Sequence, residues 1–257
     1  MGRYYGLREQ KEALEYARQR MENEVSMQGD IDDLLASMAR LLVSMLAEGV
    51  SEDVIDALVN IVTDRMCEDC EILAVDEHTD ERDGIVAFIN REWNGSTLKE
   101  RVRTRVRTFA DEVALLMIVG KILGKTDGFI LGTVAKNWDK PFGNPIIVEA
   151  REMEARGEIR VPVSLDTPSY GQGVPVSSRK ALGDICGHAL AEGWGWYDYH
   201  EHKDSAVGYV VQRGSSYPCD VCDGYVGYHD IGDEESLPMY HNHCRCYVIW
   251  VYDKNAL

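Results

Sequence analysis

The sequence predicts a mostly helical α+β protein, a helical body followed by a small C-terminal antiparallel β element clasped by a Cys/His cluster. Three observations predict it. Apolar residues recur at helical spacing through much of the chain. β-Branched and aromatic residues gather in two short runs, "AVGYVVQRG" (206–214) and "CYVIWVYD" (246–253). Between those runs lie "YPCDVCDG" (217–224) and "YHNHCRCY" (240–247), which crowd cysteine and histidine into two short segments.

From Leu7 to about Val75 the pattern is helical. Leu34, Leu35, Met38, Leu41, Leu42, Met45 and Leu46 fall at i, i+3, i+4, i+7 spacing and make one apolar face. Gly49 stops that helix. Ser51, Glu52 and Asp53 open the next, with the stripe Val54, Leu58, Ile61 and Val62. Three antiparallel helices joined by short loops suit this region. The charged stretch "DEHTDERDG" (76–84) then marks a boundary. It divides a helical region over 1–80 from a domain over 81–257, whose end is a β-hairpin over 206–252.

Thr97, followed by Glu100, has the spacing of a capping box at the head of a long helix. That helix begins basic, with Lys99, Arg101, Arg103, Arg105 and Arg107, and ends apolar from Leu115 to Leu123. Basic residues in a first turn oppose the helix dipole, so the arginines need partners. The protein's own acidic side chains are one set. DNA phosphates or a partner protein are the other. "GKTDGFILGTVAKNWDKPFGNP" (124–145) then reads as a shorter helix closed by Pro141, Gly143 and Pro145. The Pro/Gly-rich stretch 158–178 reads as loop, with room for a short strand. Ser177 or Ser178 caps an interrupted helix that Gly183, Gly187, Gly193 and Gly195 weaken. In the strand that follows, Val207, Tyr209 and Val211 share a side. The two terminal strands, pairing antiparallel, would bring the halves of the cysteine segment together.

The chain has 257 residues, 27 Lys+Arg against 44 Asp+Glu, and a formal charge of -17. Such a surface repels bulk nucleic acid unless a basic face is segregated from it. No apolar run is long enough to span a bilayer, and the polar, helical start lacks the apolar core of a secretory signal. A reducing compartment follows as the expectation, where cysteines are metal ligands or free thiols more often than disulfides. With seven cysteines, complete pairing is impossible.

The cysteine pattern is C-x2-C-x18-H-x2-C-x-C, through Cys219, Cys222, His241, Cys244 and Cys246. A C-x2-C knuckle delivers two thiolates to one ion, and His241 with Cys244 would supply the second pair. Four protein ligands leave no open position, so the pattern points to a structural zinc, with buried free thiols or a disulfide as alternatives. Cys246 shares a strand face with Cys244 and would either replace it or lie beneath the site. His229 and His243 are spare, and "DGYVGYHDIGDEESLPMY" reads as a loop that the metal would clasp. The contiguous His-Asn-His at 241–243 is not a nuclease signature, which needs those residues dispersed over a ββα unit. Cys67 and Cys70 lack a complete ligand set and read as thiols, with an auxiliary metal or redox pair as the alternative. The aromatic run "GWGWYDYHEH" (193–202) reads as core or interface packing, ahead of a base-stacking platform. Nucleotide-binding, nucleophile-elbow and metalloprotease motifs are absent, so nothing supports an enzyme or a small-molecule substrate.

The order of these features resembles a known family. It comprises the long amphipathic helix, the Gly-Lys-Thr turn, the shorter helix, the "GQGVPVSSRKAL" lead-in and the closing C-x2-C…H-x2-C-R-C motif. Together they are similar to the phage head morphogenesis family, also called minor head or Mu F-like proteins, in its Bacteroidetes-type form. The match runs roughly over 94–252, with Cys219, Cys222, His241, Cys244, Arg245 and Cys246 in the motif positions. Asn242 replaces the family's proline, and Gly183-Asp184-Ile185 stands where an Arg-Thr-Glu stretch is usual. The resemblance implies a non-enzymatic virion component inside the phage head, made in the bacterial host cytoplasm. Its place would be at or near the portal vertex, serving head assembly, DNA packaging or DNA delivery. Portal or other head proteins, and packaged DNA, would be its partners. A metal-dependent nuclease or toxin-type effector using the Cys/His cluster is the alternative.

Overall fold

The computed structural model describes residues 7–76, 78–137, 143–165, 177–214, 216–238, 240–241 and 244–253. It has the expected class, mostly helical with one small antiparallel sheet. Its helices are α1 (Leu7–Glu48), α2 (Glu52–Val75), α3 (Arg82–Ile89), α4 (Leu98–Ile122), α5 (Asp127–Asn137), α6 (Pro145–Ala155) and α7 (Ser178–His202). After them come β1 (Gly208–Gln212), the single turn α8 (Asp220–Asp223), β2 (Gly227–Asp230) and β3 (Tyr247–Val251). Among the described residues no helix is long and apolar enough to cross a membrane.

Two helices, not three, fill 7–75. Helix α1 runs unbroken for 42 residues. Met27, Ile31, Leu35, Met38 and Leu42 form one buried stripe along it. That burial outweighs the cost of Gly29 in mid-helix, about 1 kcal/mol, and open space surrounds Gly29. Gly49 does end the helix, at φ +74. The amides of Gly49 and Val50 donate back to the carbonyls of Leu46 and Met45, which satisfies the last turn.

Pro145 opens a helix that the sequence reading lacked. The Asn144 side chain accepts from the Ile146 amide at 3.0 Å, and proline at the first helical position forfeits only an amide that would be unpaired anyway. Residues 158–165 are irregular. Pro141 and the "GQG" lead-in lie outside the described residues. Helix α7 is continuous rather than interrupted. Ser177 caps it, its hydroxyl accepting from the Lys180 amide at 3.2 Å.

The chain forms two compact units. One comprises Met1–Met27, Asp69–Leu98 and Asp184–Leu257; the other comprises Gln28–Glu68 and Lys99–Gly183. Neither is a single stretch, and no unit boundary falls at residue 80.

In the second unit Val59, Val62 and Met66 of α2, and Val102, Val106, Phe109 and Val113 of α4, are buried. The arginine-rich start of α4 faces carboxylates of α2. Arg107 binds Glu52 and Asp56 as well as Asp111 on its own helix. Arg103 donates to Asn60 at 2.8 Å, and Lys99 meets Asp64 at 2.6 Å.

In the first unit the glycines of α7 permit close packing. A Cβ on Gly193 would lie 3.0–3.2 Å from Ile89, Ala74 and Ile85. A Cβ on Gly84 would overlap the Trp196 ring, so that indole lies directly on the α3 backbone. The sheet has the order β2-β1-β3, with both pairs antiparallel. Tyr209 of β1 pairs with His229 on one side and Trp250 on the other. Two side-chain bonds fasten the sheet to α7. Trp250 Nε1 donates to Asp198 at 3.0 Å, and the Tyr199 hydroxyl donates to the Ile231 carbonyl at 3.2 Å.

β1 and β3 pair as the sequence suggested. The intervening segment, however, is not a plain loop, since it contributes β2 and makes the expected hairpin a three-stranded sheet. Gly227, at φ +133, opens β2 in a conformation that a side chain would strain.

Candidate metal centre

The centre is built from the turn after β1 and the approach to β3. Cys219 precedes α8, and its Sγ accepts from the Cys222 amide at 3.5 Å. That turn directs both sulfurs to one side. His241 returns alongside, with Nε2 3.2 Å from Cys219 Sγ and 3.0 Å from Cys222 Sγ. The Cys244 amide donates to the His241 carbonyl at 3.0 Å, which curls the chain so that Cys244 Sγ lies 3.8 Å from Cys222 Sγ. On one tetrahedral zinc, two thiolates lie about 3.8 Å apart and a thiolate and an imidazole nitrogen about 3.6 Å.

The five donors fall into two groups, within each of which all ligand atoms lie within 4.8 Å of one another. Cys219, Cys222 and His241 form one; Cys222, Cys244 and Cys246 form the other. Cys222 belongs to both groups, with Cys219 and His241 on one side of it and Cys244 and Cys246 on the other. Cys222, Cys244 and Cys246 are all buried, in one cluster with Tyr209 and Val211 of β1. Cys219 and His241 are half-buried and, with Cys222 and Cys246, line a cavity of about 270 Å³.

Two backbone features hold the final segment. A Cβ on Gly214 would fall 1.8 Å from the Arg245 carbonyl oxygen, so only glycine lets these strands approach. Arg20 of α1 donates to the Cys244 carbonyl at 3.2 Å, and Arg245 pairs with Glu24 of α1 at 2.6–2.7 Å.

The thiols differ in acidity. The Cys222 amide and side chain lower the Cys219 pKa. Burial pushes Cys222 up to about 12. A hydrogen bond from Cys246 holds Cys244 down to about 5, and the same bond, with burial, drives Cys246 upward. A metal ion would supply the charge that lets the buried thiols ionise together.

The remaining candidates sit elsewhere. His229 lies in β2, with Nδ1 3.1 Å from an Asp233 oxygen and Nε2 2.8 Å from the Tyr225 carbonyl, so its ring is engaged away from the cluster. His243 lies outside the described residues. Cys70 is buried with its Sγ 3.7 Å from the Cys186 carbonyl, and among the described residues neither it nor Cys67 joins a metal-competent group. Arg103 and Arg107 are held by the α2 side chains described above, and Arg101 and Arg105 are half-buried on the same helix. The aromatic run is packing. Trp194 is buried, with Nε1 3.4 Å from the Leu73 carbonyl, and Trp196 stacks on His200 with centroids 3.9 Å apart.

No family model matches the chain, and neither does a curated protein or a solved structure.

Proposed function

We propose that Cys219, Cys222, His241 and Cys244 hold a structural zinc. The chain carrying this clasp is a phage or prophage minor head protein. It acts at or near the portal vertex in capsid assembly, DNA packaging or DNA delivery, inside the head and against portal or other head proteins.

The observation that carries the zinc reading is the gathering of Cys219, His241 and Cys244 around Cys222. Such soft and borderline donors suit zinc and reject hard cations. The ion would be a fastener. Strands of four and five residues bury little by themselves, and small sheets are marginal without added support. Metal binding supplies folding free energy where packing is thin. The minor-head reading rests on the motif resemblance, in which Arg245 stands between the last two cysteines; here that arginine reaches back to α1.

The enzyme alternative has less support. Among the described residues the cavity beside the cluster is lined by Arg213, Tyr217 and Arg245 and by no carboxylate that could serve as a general base. Arg213 is paired with Asp223 and Arg245 with Glu24.

Two measurements test the proposal. Elemental mass spectrometry of the purified protein should find one zinc per chain. Cys219→Ser and His241→Ala should each lose it, along with protease resistance over 206–252, while helical circular dichroism persists. Metal-free protein from reducing purification would overturn the clasp. Proteomics of nuclease-treated particles from the encoding strain should find the chain inside heads; its absence from full particles would overturn the minor-head role.

A further inference from the structure

We infer that the same five donors form a two-ion thiolate cluster for a soft monovalent cation, Cu(I), bridged by Cys222. This deepens the metal-clasp reading and rests on its donors.

The argument is one of counting and arrangement. A single tetrahedral ion uses four of the five donors and leaves one idle. The structure arranges the five as two triads that meet at one sulfur: Cys219, Cys222 and His241 on one side, Cys222, Cys244 and Cys246 on the other. With Cys222 bridging, five donors provide six coordination positions, which is two sets of three. Zinc requires four positions per ion, whereas Cu(I) is satisfied by three and prefers thiolate sulfur. The all-sulfur triad is also the drier one, its members 3%, 0% and 2% exposed. A dry sulfur-only environment excludes ions that keep their water.

Four thiolates and two monovalent ions leave two negative charges, and the nearly buried Arg20 guanidinium, which also lies 3.8 Å from Glu24, donates to the Cys244 carbonyl at 3.2 Å. Access is from the half-buried end, where Cys219 and His241 face the adjoining cavity, so the first ion enters there and the second lies deeper. No oxidation is involved, because the ion arrives and remains as Cu(I).

The test is an anaerobic titration of reduced, full-length protein with Cu(I) supplied as its acetonitrile complex. Bathocuproine sulfonate serves as competitor, and zinc content is measured on the same preparation. Two Cu(I) per chain are expected in the wild type, in Cys67→Ser and in Cys70→Ser. One is expected in Cys246→Ser, which should still hold one zinc, and one in Cys219→Ser, which should hold none. A wild type that stops at one Cu(I) while holding one zinc would overturn the two-ion cluster and leave the clasp standing. Two Cu(I) with no zinc from any preparation would do the reverse. Two Cu(I) persisting in both Cys246→Ser and Cys219→Ser would also overturn the inference.

Discussion

Replacing Glu112 with glutamine should stabilise the protein at neutral pH and remove part of its sensitivity to alkali. Glu112 is buried in α4. Its Oε2 accepts from the Ser178 hydroxyl at 3.5 Å, and among the described residues its Oε1 has no hydrogen-bond partner. Burial, opposed by the Ser178 bond, pushes its pKa from 4.5 up to about 8. The folded state therefore keeps the proton where the unfolded state has released it. For an acid shifted upward, the contribution to stability is fully present below pH 4.5, falls as pH rises, and levels off above about 8. Each pH unit inside that window costs about 1.4 kcal/mol, so at pH 7 the native glutamate costs about 3 kcal/mol relative to a group that stays neutral. Glutamine matches the shape and never ionises. Urea denaturation of both proteins at pH 4, 5.5, 7 and 8.5 measures the difference. The two should be nearly equal at pH 4, and the variant ahead by about 3 kcal/mol at pH 7. Parallel pH profiles would show that Glu112 is ionised in the fold and would refute the reasoning.

Other expectations follow from the same geometry. Gly214→Ala places a methyl group against the Arg245 carbonyl and should cost about 1–3 kcal/mol, read as faster proteolysis within 206–252; an unchanged tip would mean that the two segments part readily. Arg107→Ala removes a half-exposed ion cluster on α2 and should lower stability by at most about 1 kcal/mol, less in high salt. In a filter-binding assay the same variant should leave any affinity for duplex DNA unchanged, because this guanidinium is held by Glu52, Asp56 and Asp111; a reduced salt slope would place it on phosphate instead.

What could be seen in the sequence, and what could not, divides on physical lines. The bulk of α4 and α7 was legible because their apolar residues keep helical period over many turns. The β1–β3 pairing was legible because runs such as "GYVV" and "YVIW" have few other uses. The meeting of Cys219, Cys222, His241 and Cys244 was legible because ligand spacing is a local constraint. β2 was not. "GYHD" has two residues poorly suited to strands, and β1, not its own propensity, makes it one. α6 was hidden because Pro145 reads equally well as an end and as a beginning, and only the Asn144 cap decides. The continuity of α1 through Gly29 and of α7 through four glycines depends on burial that local propensity does not report. The sequence leaves Cys246 either replacing Cys244 or lying in the core beneath the site, and the structure buries it in one triad with Cys222 and Cys244.

The grip of α1 on the cysteine segment bears on the order of events during synthesis. Arg20 and Glu24 wait for Cys244 and Arg245, which emerge from the ribosome more than two hundred residues later. Every stretch of the second unit has left the ribosome by then. That unit can assemble first, while the first half of α1 stays without its final partners. Closing so long a loop is slow relative to local helix formation, although its entropic cost grows only logarithmically with length. Capture of the metal proposed above would then be among the last steps of maturation. A cell short of the ion would accumulate chains that are helical throughout but open at this one end, with Arg20 and Glu24 available to the wrong neighbour.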